Sequence, residues 1–276
     1  MLQKQLKLIT ALYINGSRGR IRMTNGLLLA LQFFSILPIH KEIPMTKKTV
    51  TAMFVVFPWL GALIGFVLTI VYYLLHTYTD ISSLLLSFIL ISGYVICSGG
   101  LHLDGYVDTS DAYFSYRDKK KRLEILDDPR TGAFGAISLV FLILAKIFFL
   151  AELLGKPSFH WIWLIAVPFL SRLCMSIYFI CTRTSKEKGL AHFFKQHLHM
   201  KYWLFGTVCS MIVGGALFIW LSGTWAILFL LFMIVLAALI YRWWSLQQFS
   251  GSSGDLLGAL IEGMEAVLWI VLLLCI

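Results

Sequence analysis

Residues 82–111 read SSLLLSFILISGYVICSGGLHLDGYVDTSD. The first twenty of them carry no charge, and the next ten carry three aspartates, Asp104, Asp108 and Asp111. At 1.5 Å per residue, twenty helical residues cover the roughly 30 Å of a bilayer's hydrocarbon core. A span that ends in a cluster of acids is therefore the first thing the chain offers. Six more stretches have the same apolar length, at 50–75, 133–154, 158–181, 202–222, 224–241 and 253–276. They are continuously apolar, whereas a transmembrane β-strand alternates. The whole composition agrees. Of 276 residues, 59% are hydrophobic and 13% charged, and the mean hydropathy is +0.83. Soluble domains run at about 45–50% apolar and about 25% charged. A water-soluble globule, a disordered chain and, with five scattered cysteines, a disulfide scaffold are excluded.

The predicted fold class is all-α, a polytopic integral membrane helical bundle of about seven transmembrane helices. An eighth apolar stretch, 26–39, holds about fourteen residues before the chain turns polar, too few for a span. It reads as a short N-terminal re-entrant or interfacial helix, and no small-residue cleavage site follows it. Residues 1–22 read as a basic cytoplasmic N-terminal extension and 23–276 as one membrane-embedded domain.

The net charge of +9 is a matter of topology. Twenty of the 23 Lys and Arg fall in 1–22, 39–49, 102–132, 182–201 and 242–252, which seven spans place on one side. Only Lys156 falls opposite, and Lys146 and Arg172 lie within spans. Positive loops stay inside, so that side is predicted to be cytoplasmic and to meet anionic lipid; nucleic acid is not an expected partner.

Seven of the fourteen acidic residues lie in 102–132. On a helix, Asp104, Asp108 and Asp111, at i, i+4 and i+7, form one stripe. Carboxylates at membrane depth cost roughly 2.5–3.5 kcal/mol each and repel one another. A hard divalent cation such as Mg²⁺ answers both problems, since it takes one or two carboxylates plus substrate phosphates. A solvated acidic face is the alternative. Gly99, Gly100 and Gly105 leave room for a bulky substrate or a neighbouring helix. His102 reads as a ligand or base, or as a structural imidazole. Further on, Asp128 caps or ligates, Arg130 suits phosphate through its planar fork, and Gly132 and Gly135 open the start of the next span. The run Lys119-Lys120-Lys121-Arg122 reads as a solvated face near lipid head groups. Arg172, inside a span, calls for a phosphate or a carboxylate. Asp255 falls at the same end as Asp104. Glu262 and Glu265 lie deeper, either protonated or paired with Arg172 or Lys146. Carboxylates, glycines and arginine at a cytoplasmic mouth suit transfer at a pyrophosphate. These residues point to a membrane-embedded, metal-dependent phosphoryl-type transferase. An ion-coupled transporter using Asp104, Arg172 and Glu262 is the competing class, and an aspartyl protease would need Asp104 and Asp255 in mid-bilayer.

Six blocks in fixed order resemble the cobalamin-5′-phosphate synthase (adenosylcobinamide-GDP ribazoletransferase) family. They are LLLALQFFSILPI (27–39), FPWLGALIG (57–65), GGLHLDGYVDTSDAYF (99–114), LEILDDPRTGAFGA (123–136), Arg172 with KEKGLAHFF (186–194), and GSSGDLLGALIEGMEA (251–266). Tyr106, Val107, Tyr113 and Asp127 depart from that family's pattern. The likeness implies a transferase domain over 23–276 that joins adenosylcobinamide-GDP to α-ribazole or α-ribazole 5′-phosphate, releases GMP and requires Mg²⁺. It implies the bacterial inner membrane, an active site facing the cytoplasm, and other late cobalamin-assembly enzymes as partners. Asp104, Asp108, Asp111, Asp128 and Asp255 are then the expected metal ligands. Asp104, Asp108, Asp111 and Arg130 are the expected catalytic residues. Gly100, Gly105, Arg130, Gly132, Gly135 and Arg172 are expected to bind substrate. The nearest related chemistry is that of the CDP-alcohol phosphotransferases, whose usual Ala-Arg after the second Asp is Thr109-Ser110 here.

Overall fold

The protein is described from a computed structural model over residues 23–115, 118–128 and 130–276. The basic extension 1–22 lies outside the described residues. Among these the chain is helical, with no strand beyond a lone Thr184–Ser252 bridge. Six helices are long and apolar enough to cross a membrane: α2 (Lys47–Tyr78), α6 (Ala133–Leu154), α7 (Trp163–Cys181), α9 (Met200–Ser222), α10 (Ala226–Phe249) and α11 (Gly254–Cys275). A bent pair, α3 (Ser83–Ser98) and α4 (Leu101–Ser115), brings the number of candidate spans to seven when counted as one. Three short helices complete the chain: α1 (Met23–Phe34), α5 (Lys119–Ile125) and α8 (Leu190–Gln196).

The span expected at 82–101 is the helix Ser83–Ser98 with its glycine turn, and the chain bends sharply there. The helix stops at Ser98, because Gly99 and Gly100 both take left-handed backbone, φ 66° and 68°. Two consecutive residues in that region are tolerated only as glycine. Their N–H groups close on Ile96 O and Val95 O, and α4 leaves at 94° to α3. The acidic segment therefore does not continue the span. It lies across the end of the bundle.

Helix α7 is the axis. Leu164, Ala166, Val167, Phe169 and Leu170 are wholly buried, as befits a helix apolar on every side. It packs against α2, α9, α10 and α11. A side chain at Gly65 of α2 would collide with the Leu164 carbonyl, so these two helices touch backbone to backbone. The outer helices instead turn Phe141, Phe205 and Trp220 outward, the surface a lipid environment selects.

Helix α1 has twelve residues, about 18 Å. It packs Gly26 on Ala52 and Phe34 on Phe57, whose ring centroids are 4.4 Å apart. The chain then turns, Ile36 N–H donating to Cys97 O (2.9 Å), and comes back to Thr46, the N-cap of α2. That is the short N-terminal element the sequence predicts.

Helices α2, α6, α9 and α11 begin, and α3, α7 and α10 finish, at the end where the basic loops gather. These loops are tied together there. Lys186 Nζ meets Asp127 (2.6 Å), Lys195 Nζ caps α7 through Thr182 O (2.8 Å), and Ser185 N–H donates to Ser252 O (2.9 Å). Arg122 departs from the solvated reading of its run. It is buried, donates to Gln248 and lies 4.8 Å from the Tyr113 ring.

Deep in the bundle, Lys146 Nζ contacts Glu262 (2.5 Å) and Glu265 (2.8 Å), and Arg172 contacts Glu265 (3.2 Å). Two cations and two anions balance, and all are buried. Removing one partner of such a set strands a charge, at about 3–5 kcal/mol. Lys146→Met should therefore lower the thermal midpoint of the purified protein sharply, while Arg130→Ala at the surface leaves it nearly unchanged. Equal midpoints for the two variants would contradict this account of the network.

Candidate active site

Helix α4 is held by glycines on its neighbours as much as by its own. A Cβ at Gly105 would stand 2.7 Å from Asp255 O, and one at Gly258 would stand 2.9 Å from His102 O. One at Gly135 would stand 2.8 Å from Val107 O, and one at Gly132 would fall inside the Asp111 carboxylate. These contacts press α4 onto the first turns of α6 and α11. The expected close approach is thus made by helix backbone at Gly105 and Gly135 and by the Asp111 carboxylate at Gly132, while the space beside Gly100 is open.

The acids grade along the helix. Asp104 is exposed, Asp108 half-buried and Asp111 buried. Asp111 accepts from Gly135 N–H (3.3 Å) at the N-terminus of α6. Asp255 sits in the first turn of α11, where the N-cap hydroxyl of Ser253 accepts from Leu256 N–H (3.2 Å). Helix N-termini carry partial positive charge and favour anions, so these two carboxylates are partly compensated. Asp108 is half-buried beside the like charges of Asp255, Asp104 and Asp111. Asp104, Asp108, Asp111 and Asp255 form the inner set.

The other expected site residues stand apart from it. Arg130 forks onto Asp128, Nη2 to Oδ2 at 2.6 Å and Nε to Oδ1 at 3.0 Å, in an exposed loop where the Arg130 side chain is 86% accessible. The guanidinium holds the Asp128 carboxyl down at about 2, so this pair stays ionised throughout the physiological range. Arg172 belongs to the deep network, with Pro168 O (2.9 Å) and Glu265 as its partners.

As these side chains lie, no three His, Cys, Asp or Glu among the described residues converge as a metal cage. Mg²⁺, which keeps waters and completes its shell with phosphate oxygens, does not need such a cage. The like-charged surroundings of Asp108 are the observation in favour of such a cation.

A cavity of about 640 Å³, counting its open mouth, adjoins the inner set. Phe33 and Phe34 of α1, Phe54 and Phe57 of α2 and Phe194 of α8 line it, with His102 and Asp255. These aromatic pairs look the same in sequence as core or lipid-facing residues. Their only shared mark is their number.

Fold and site together define a polytopic helical membrane protein with an acidic, glycine-packed site at the basic mouth of its bundle. The chain belongs to the cobalamin-5-phosphate synthase (CobS) family, whose sequence profile matches residues 26–273. It is similar to the adenosylcobinamide-GDP ribazoletransferase of Geobacillus sp. (strain WCH70), 36% identical over 251 residues, covering 89% of this chain and 94% of the relative. The protein of that name from Geobacillus kaustophilus is 37% identical over 261 residues, with the same coverage. That from Acinetobacter baumannii (strain ATCC 17978) is 33% identical over 242 residues, covering 87% and 93%. The matched span takes in the whole inner set and the cavity. No solved structure matches the chain.

Neutralising one of the like charges relieves the repulsion around α4. Asp108→Asn should stabilise the protein in EDTA by about 0.5–2 kcal/mol, seen as a thermal midpoint a few degrees higher. A lower midpoint would show that Asp108 is already paired.

Proposed function

We propose that this chain joins adenosylcobinamide-GDP to α-ribazole or α-ribazole 5′-phosphate, releasing GMP and forming adenosylcobalamin or its 5′-phosphate, at the cytoplasmic face of the bacterial inner membrane. The observation that carries the reading is the acidic helix α4 laid across two helix N-termini, with Asp255 against Gly105. The names and near-complete coverage of the relatives support the substrates. The basic residues around the mouth support the cytoplasmic orientation and contact with anionic lipid head groups. They also leave that face accessible to other late cobalamin-assembly enzymes.

In this reaction the ribazole hydroxyl attacks the phosphorus on the cobinamide side of the diphosphate. A new O–P bond forms, the bond from that phosphorus to the bridging oxygen breaks, and GMP leaves. Asp104 and Asp108, one turn apart and turned toward the mouth, would hold Mg²⁺, with Asp255 completing the acidic wall. Bound there, the cation supplies charge neutralisation for the diphosphate oxygens and the leaving GMP. The N-termini of α6 and α11 favour phosphate oxygens, and Arg130, in its exposed loop, can exchange Asp128 for phosphate. A stripe carboxylate not engaged by metal accepts the hydroxyl proton. Asp111, anchored on Gly135, keeps α4 in register with α6 while this happens.

Purified protein given adenosylcobinamide-GDP, α-ribazole and Mg²⁺ should release GMP in step with corrinoid product, and EDTA should stop it. Asp104→Asn should cut kcat by roughly 10²–10³-fold or more while the protein remains folded in detergent. Turnover at the wild-type rate in that variant would refute the metal assignment.

A further inference from the structure

His102 is 4% exposed, and among the described residues neither of its ring nitrogens has a hydrogen-bond partner. Burying an unsatisfied polar group costs about 1–3 kcal/mol, and native proteins rarely leave both nitrogens of an imidazole unused. The ring is not loosely placed. Phe34 lies near-parallel to it with centroids 6.3 Å apart, Phe57 is edge-on at 6.0 Å, and the His102 backbone is pressed against Gly258. It lines the aromatic cavity that opens beside Asp255. Besides His102, the one ionisable group on the wall among the described residues is Asp255, a member of the inner carboxylate set.

A pocket of this kind selects its occupant by what it fails to offer. Phenyl rings give stacking and desolvation but no hydrogen bonds. A guanine would leave several edge groups unpaired there, and the amide-fringed corrin and the diphosphate would fare worse. A flat apolar bicycle with a single unsubstituted ring nitrogen fits, because a neutral imidazole can donate one hydrogen bond to it. The acceptor of the proposed reaction has such a base, a dimethylbenzimidazole.

We infer that this cavity is the acceptor's base pocket, with His102 donating to the unsubstituted ring nitrogen and the phenylalanines of α1, α2 and α8 enclosing the ring. The inference rests on the proposed reaction for the identity of the ligand and on the cavity for its place. Seating the base there brings the attached ribose to the Asp255 side, beside the carboxylates that must receive its hydroxyl. It also explains why α1 is docked where it is. Phe33 and Phe34 form one wall, so the short N-terminal element is part of the acceptor site.

The test compares α-ribazole with the indole riboside that replaces the ring nitrogen by carbon, using the purified full chain. Equilibrium dialysis without donor reads binding, and GMP release reads KM for each acceptor. The wild type should prefer α-ribazole about tenfold or more. His102→Ala should bind the two compounds equally, His102→Gln should regain part of the preference, and Ala191→Phe, which fills the cavity, should weaken both. The KM for adenosylcobinamide-GDP should stay unchanged in all three, which also certifies folding. A preference that survives in His102→Ala, or a rise confined to the donor's KM, overturns the pocket assignment. Failure of the wild type to release GMP strikes the proposed reaction instead. In that case, selective dialysis binding of α-ribazole lost in His102→Ala still supports the pocket, and no binding overturns it.

Discussion

Charge in an apolar bundle has to be answered by charge, and this protein answers it in two ways. Deep between α6, α7 and α11, Glu262 and Glu265 meet Lys146 and Arg172, and the set is electrically complete. At the mouth, Asp104, Asp108, Asp111 and Asp255 gather as like charges, relieved by helix N-termini and, at Asp255, by the Ser253 hydroxyl and the charge of Lys186. The first set fixes the helices, since each member would be costly without the others. The second leaves an excess of negative charge that a cation with a phosphate-bearing substrate can balance. Residues of the same type, a few turns apart on α11, are thus neutralised by cations at one depth and left among like charges at another.

The geometry of the mouth follows from backbone contact. The glycine turn at 99–100 swings α4 nearly perpendicular to α3, and glycines on both sides let it settle on two other helices. Helix ends rather than long side chains thus define the floor of the site. Such a floor is rigid and carries little conformational entropy to lose when a substrate arrives.

Much of this was legible in the residues. Spans declare themselves by length and continuous hydropathy, and Asp104, Asp108 and Asp111 declare a common face by their spacing. The alternatives left open for Arg172 and for Glu262 and Glu265 resolve into pairing, because polar groups that deep have few other partners. The sharp bend was less visible. Gly99 and Gly100 look like the loose end of a span, and only their consecutive left-handed backbone turns that end into a corner. The self-pairing of Asp128 with Arg130 depends on loop geometry that spacing does not specify. The aromatic cavity was hidden for a deeper reason. Phenylalanines from three distant segments mean one thing when packed on each other and another around a void, and a one-dimensional pattern does not record the void.

The deep ion network also bears on how the protein is made. Its cations reside on α6 and α7, whereas both acids reside on α11, the last of these helices to be synthesised. Lys146 and Arg172 must therefore wait in or near the insertion machinery without their counterions until α11 enters. Membrane insertion of the early helices and completion of the bundle become one coupled event, with the arrival of α11 serving as the latch.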